Sequence, residues 1–168
     1  MLSADQFGEL DTPCIIIDEA IALANIRRLQ DHCDAKGLAF RPHIKTHKMV
    51  GFARAQMEAG AAGINCQKVD EAAVMADGGL KDILITFNIL GAEKLARLRS
   101  LAGRVDRLAV TADSATTVAG LSGAFADAER PLEVLVECDT GAGRCGVQSP
   151  AEAYDLAAII AASPGLRF

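Results

Sequence analysis

Tryptophan is absent, tyrosine occurs once and phenylalanine six times, so aromatics make up only 4% of the 168 residues. The core cannot be built on stacked rings. The 51% hydrophobic content comes from Ala, Leu, Ile and Val, which suits helices packed on a buried sheet. A basic excess is missing too: 17 Lys and Arg face 22 Asp and Glu, a formal charge of −5. That argues against a nucleic-acid partner, since neutralising phosphates needs a basic face. No apolar run is long enough to span a bilayer, so no membrane partner is expected. The opening MLSADQFGELDTP carries acids and no apolar centre, unlike a signal peptide, which points to the cytoplasm. The five cysteines, Cys14, Cys33, Cys66, Cys138 and Cys145, include no CxxC pair, which speaks against a disulfide framework. Cys14, Cys66 and Cys138 lie in apolar strand-like runs and are expected to be buried as small hydrophobes rather than to bind metal.

What is present is a rhythm. Cys14–Ile17 reads as a short buried strand, and Asp18 as the cap of a helix with Ile21, Leu23, Ile26 and Leu29 on its apolar face. Lys36-Gly37 ends that helix. Strand-like runs follow at 38–44, 63–67, 82–87, 107–110 and 132–138, and 165–168 opens a seventh. Helix-like segments at 47–59, 69–76, 92–102, 114–125 and 151–162 separate them. The first six strand starts recur roughly every 19–26 residues. Such alternation means parallel strands joined by helical crossovers. No GxGxxG follows the first strand, which weakens a doubly wound dinucleotide fold, and the even repeat favours a (β/α)8 barrel. A complete barrel needs about 250 residues. The expectation is therefore an α/β, incomplete (β/α)8 TIM-like barrel with about six βα units, a partial domain over 1–168 with any C-terminal β domain absent.

In parallel α/β folds, chemistry gathers at the C-terminal ends of the strands. Four such ends carry unusual residues: His43, Lys45, Thr46 and His47; Cys66-Gln67-Lys68; Thr86-Phe87-Asn88; and the run 137–146, ECDTGAGRCG. A lysine at an apolar strand end among other cations should have its ammonium form disfavoured, and a neutral amine is a nucleophile for carbonyls. His43 and Lys45, two apart, would share a strand face. A solvated Lys/His turn is the competing reading, because exposed lysine is common. His47 and Thr46 could cap the next helix, and Asp139 and Thr140 could brace the loop that carries Arg144.

The blocks DTPCIIID, RPHIKTHK, GINCQKVDEAAVMADGG and ECDTGAGRCGV resemble, in the same order, those of the D-threonine aldolase/D-serine dehydratase family. These are pyridoxal-phosphate enzymes whose N-terminal part is a barrel of the alanine racemase kind (fold type III). The CQKVxEA block is especially similar to 3-hydroxy-D-aspartate aldolases. The resemblance covers nearly the whole chain. It implies that Lys45 carries pyridoxal 5'-phosphate through its side-chain amine and that Arg144 stands near the cofactor ring oxygen and the substrate carboxylate. It also implies that His43 and Gln67 line the cofactor. Arginine suits such a role because its guanidinium is always charged and forks onto carboxylates.

The function implied is cleavage of the Cα–Cβ bond of a D-3-hydroxy amino acid, with D-threonine giving glycine and acetaldehyde. Dehydration of D-serine or D-3-hydroxyaspartate is the alternative. A non-enzymatic pyridoxal-phosphate carrier and an inactive fragment that associates through exposed edges are readings of another class. The resemblance further implies a homodimer and a divalent metal, manganese or zinc, on ligands that the family places beyond the position of Phe168.

Overall fold

A computed structural model describes residues 7–168 of the chain. Met1–Gln6, the start of the segment judged unlike a signal peptide, lie outside the described residues. The elements, in chain order, are α1 (Glu19–Ala35), a 3-10 turn (Ile44–Thr46), α2 (Val50–Glu58), β1 (Ile64–Cys66), α3 (Val69–Asp77), β2 (Asp82–Ile85), α4 (Ala92–Ala102), β3 (Arg107–Ala112), α5 (Ala115–Phe125), β4 (Leu132–Val136), α6 (Pro150–Ala162) and β5 (Leu166–Arg167). No described helix is long and apolar enough to cross a membrane.

Local chemistry sets the helix starts. Asp18 Oδ1 accepts the Ile21 N–H at 3.1 Å and caps α1. Ser114 and Ser149 do the same for α5 and α6, accepting from Thr117 N and Glu152 N. The α6 start, Ser149-Pro150-Ala151-Glu152, adds a proline suited to the first turn and a glutamate that reaches back to Gln148 N at 2.7 Å.

The five strands pair in parallel in the order β1-β2-β3-β4-β5. Each helix from α1 to α6 packs on the next, so the crossovers lie on one side of the sheet. That is barrel winding; a doubly wound sheet would reverse strand order part-way. Register aligns the row Cys66, Ile85, Val110 and Val134 straight across β1 to β4. All four are essentially unexposed, as are Leu98, Val118, Leu121, Phe125 and Ile160 of the helices packed above them.

The other face of the sheet, across the strand starts, carries a chain of charges. Arg41 meets Asp82 at 2.8 Å, Asp82 meets Arg107 at 3.4 Å, Arg107 pairs with Glu133, and Glu133 meets Arg167 at 2.9 Å. Each carboxylate thus lies between two guanidinium groups. The hydrogen bond from Arg107, aided by Arg167 and against the effect of burial, holds the Glu133 carboxyl below its usual range. Gly63, at φ +148°, makes room for Arg41, since a Cβ there would lie 2.0 Å from the guanidinium.

Several expectations need correction. Cys14–Ile17 forms no strand; Ile15 is 94% exposed, Ile16 43% and Ile17 46%. β-branched residues favour extended backbone, but a strand also needs a neighbour, and none pairs here among the described residues. Segment 38–44 shrinks to one bridge, His43 with Asn65. Pro42 accepts from Asn65 N at 2.8 Å but has no N–H to return, and the 3-10 turn begins at once. The seven strand-like runs thus yield five strands and a bridge. Cys66 is buried as expected, whereas Cys14 and Cys138 are exposed. On α1, Ile21 and Leu29 face out and Gln30 is buried, its amide donating to Asp34 at 2.8 Å.

The buried row makes a direct prediction. Ile85→Ala should lower stability by about 2–5 kcal/mol, the usual cost of such a cavity. Ile15→Ala should change it by less than about 0.5 kcal/mol, because that side chain is exposed. Urea midpoints of the two variants check both values.

Candidate active site

The C-terminal ends of the parallel strands form one rim. His43, at the bridge with β1, is half-buried. Its Nδ1 accepts the backbone N–H of Lys45 at 3.2 Å. A neutral imidazole that accepts at Nδ1 carries its proton on Nε2. That nitrogen lies 3.1 Å from Thr86 Oγ1, just past the end of β2, and so donates to it. The threonine hydroxyl in turn donates to the Cys66 carbonyl at 3.4 Å. Burial lowers the His43 pKa, and nearby Lys45 lowers it further, with Glu71 opposing. The imidazole is held neutral, as its bonds require.

Lys45 stands on the exposed 3-10 turn, not at an apolar strand end. It makes no ion pair among the described residues. Lys48, three residues on, is different: its ammonium pairs with Glu71, whose side chain is only 10% exposed. Glu71 also accepts the Gln67 N–H at 2.9 Å. Burial would raise the Glu71 carboxyl, but Lys48 and the Gln67 amide outweigh it and the pKa is lowered. Gln67 follows β1 half-buried, with its backbone tied to α3.

Glu71 was not foreseen as part of the rim. Its position as the third residue of α3 is the signal, because a glutamate there reaches back to free N–H groups before the helix. His47 Nδ1 accepts the Met49 N–H at 3.0 Å, just before the next helix. Neither His47 nor Thr46 caps that helix: α2 begins after Met49 with no side-chain cap.

Past β4, Asp139 organises the glycine-rich loop. Its Oδ1 accepts from Gly141, Ala142 and Gly143 N–H at 2.9, 2.9 and 3.1 Å. The Gly141 and Gly143 bonds hold the Asp139 carboxyl below its usual range. Asp139 thus braces the loop as expected; Thr140 is exposed. Gly146, at φ +102°, lets the loop fold back, since a Cβ there would lie 2.5 Å from Asp139 N. Arg144 projects from an exposed stretch of this loop. Cys145, and more weakly Glu137, raise its pKa above the ordinary guanidinium value. Glu137 is itself engaged, accepting from Thr111 at 3.0 Å and from the Cys145 thiol at 2.9 Å.

The rim therefore holds two groups. Around β1 and β2, hydrogen bonds join Lys45, His43 and Thr86 in one set and Gln67, Glu71 and Lys48 in another, while Arg144 stands apart after β4 on the same rim. An exposed primary amine without a carboxylate partner fits a group that presents an aldehyde. An exposed arginine on a braced loop fits an anionic oxygen. Among the described residues no group of three or more His, Cys, Asp or Glu could hold a metal, so no role for a metal is derived.

Comparison with known proteins identifies the family. Residues 17–168 match the family described as alanine racemase, N-terminal domain. The chain belongs to that family. It is 40% identical over 164 residues to a D-threonine aldolase of Arthrobacter sp., a match covering 98% of this chain and 43% of that protein. It is 38% identical over 162 residues to a 3-hydroxy-D-aspartate aldolase of Paracoccus denitrificans, covering 96% and 42%. The solved D-threonine aldolase of Filomicrobium marinum superposes with a TM-score of 0.90 at 40% identity, covering 94% of this chain and 42% of that one. The chain spans about two fifths of the length of these relatives. Family membership establishes the α/β, alanine-racemase-type fold expected above.

The imidazoles generate a pH dependence. Burial lowers the pKa of both His43 and His47 below 6.5 in the folded chain. The unfolded chain titrates near 6.5 and so binds more protons as the pH falls. Their contribution to stability is complete above about pH 6.5 and disappears as the pH drops through the folded values. Glu71 and Glu133, lowered from 4.5, lose theirs only at more acid pH. The urea midpoint should therefore fall between about pH 7.5 and about pH 5.5. The double variant His43→Asn/His47→Asn should flatten that step.

Proposed function

We propose that this chain carries the cofactor-bearing lysine of a pyridoxal-phosphate lyase acting on D-3-hydroxy amino acids, with Lys45 as that lysine. One observation carries the reading: of the two lysines in RPHIKTHK, Lys48 is paired with Glu71, and Lys45 has no carboxylate partner among the described residues. The cofactor, when bound, supplies an aldehyde for an amine and a ring that withdraws electrons from the substrate Cα.

The chain's own residues then have separable tasks. Lys45 presents the amine. His43, neutral and bonded at both nitrogens, fixes the backbone on which that amine stands. Gln67 offers an amide just past the end of β1, and Arg144 a permanent cation for a carboxylate or ring oxygen. The net reaction breaks the Cα–Cβ bond of D-threonine. The hydroxyl proton leaves, the bond's electron pair passes to Cα, which gains a proton, and glycine and acetaldehyde result. The names of the relatives in Arthrobacter sp. and Paracoccus denitrificans support aldol cleavage. Dehydration is the second reading, supported by 35% identity over 143 residues to a D-threo-3-hydroxyaspartate dehydratase of Delftia sp.. The substrate is a small D-amino acid, and the working form is taken as a homodimer.

Incubation with saturating pyridoxal phosphate, borohydride reduction and peptide mapping should place a phosphopyridoxyl group on Lys45. Lys45→Ala should lose it and Lys48→Ala should keep it. Label on Lys48 alone, or none, would overturn the assignment. Glycine and acetaldehyde from D-threonine, with added manganese, would establish aldol cleavage. Oxaloacetate and ammonia from D-3-hydroxyaspartate would establish dehydration. Neither product, despite labelled Lys45, would leave a carrier.

A further inference from the structure

We propose that Thr86 is a positioning residue for Lys45, acting through His43. The inference rests on the reading of Lys45 as the cofactor lysine and extends it to a residue on a different strand. Three hydrogen bonds run in one direction. Thr86 Oγ1 donates to the Cys66 carbonyl at 3.4 Å, accepts from His43 Nε2 at 3.1 Å, and so leaves His43 Nδ1 to accept the Lys45 N–H at 3.2 Å. The three bonds are mutually consistent in donor and acceptor sense once His43 Nδ1 accepts the Lys45 N–H. The hydroxyl has a single proton, already committed to a carbonyl, so its remaining role toward the imidazole is acceptor.

Position supports the same assignment. Thr86 follows the last residue of β2, and its own N–H donates to the Cys66 carbonyl at 3.0 Å. Its backbone is therefore fixed by the ladder, and its side chain reaches across β1 to the bridge residue His43. The turn holding Lys45 lies at the sheet edge, where one bridge replaces a strand. Without Thr86, the imidazole would have an unpartnered Nε2–H and could exchange tautomers. A proton on Nδ1 would then confront the Lys45 N–H, donor against donor.

Thr86→Val keeps the β-branched shape and removes the acceptor; Thr86→Ser restores the hydroxyl. In the wild-type chain, 15N NMR of His43 should report the proton on Nε2, and the Lys45 amide should exchange slowly with solvent. Thr86→Val should mix the tautomers and speed Lys45 amide exchange by about three- to tenfold, the value of one neutral hydrogen bond. Labelling of Lys45 by pyridoxal phosphate should slow by a similar factor, and Thr86→Ser should recover both. Far-UV circular dichroism establishes that each variant is folded.

An unchanged Lys45 amide and unchanged His43 signals in folded Thr86→Val overturn the positioning role. So does a serine variant that fails to recover them. Absent labelling of Lys45 in the wild-type chain, with the NMR signature intact, overturns the cofactor reading instead. The two failures are therefore distinguishable.

Discussion

The parallel register of the sheet is the constraint on which the other features depend. Side chains alternate along a strand, so a slip of one residue would exchange the two faces. The observed pairing keeps Cys66, Ile85, Val110 and Val134 on the helix side in one buried row. It therefore commits the alternate residues to the other face: Asn65, Leu84, Ala109, Glu133 and Arg167, also in one row, with His43 bridged to Asn65 at its edge. Burial of aliphatic area is the driving force. The placement of polar groups on the opposite face is its consequence.

The two ends of that face have different chemistry. At the strand starts, charges alternate from Arg41 to Arg167 and each acid is shared by two arginines. Such a network is saturated and holds neighbouring strands at their starting ends. Past the ends of β3 and β4, the acids are engaged by neutral donors instead: Asp139 by loop N–H groups, Glu137 by Thr111 and Cys145. Asp113 likewise accepts the Gly146 N–H at 3.1 Å. These carboxylates shape loops without consuming the cations of the rim. Lys45 and Arg144, which pair with no carboxylate among the described residues, remain available for a ligand.

Helices were more legible in the sequence than strands, for a physical reason. Helix 92–102 lies where its leucine spacing placed it, because its backbone hydrogen bonds are local in sequence. Strand limits depend on a neighbour that local sequence does not name. The apolar runs at 14–17 and 38–44 are extended by propensity but lack a full ladder. Cys138 was misjudged for the same reason: it falls past the end of β4 and is exposed. Within the site, the motif residues His43, Lys45, Gln67 and Arg144 stood out by chemistry, and their location on one rim followed from strand order. Glu71 did not stand out, because an acid in the first turn of a helix is ordinary. Thr86 was visible only as a polar strand end; its connection to His43 exists only once β1 and β2 are paired.

The fold also distinguishes the two lysines of one motif. Lys48 has φ +55°, an uncommon conformation for a residue with a Cβ, worth about 1 kcal/mol or more of strain. Its N–H closes onto the Ile44 carbonyl at 2.7 Å, reversing the chain so that α2 can begin two residues later. Its ammonium pairs with the mostly buried Glu71. Glu71 is at the same time fixed by the Gln67 N–H. The lysine at the strained position is thus the one tied to the body of the protein. Lys45 lies on the open side of the same turn, where its backbone is fixed by an imidazole and its side chain is exposed. A tethered lysine and an untethered one, three residues apart, follow from a single reversal of the chain.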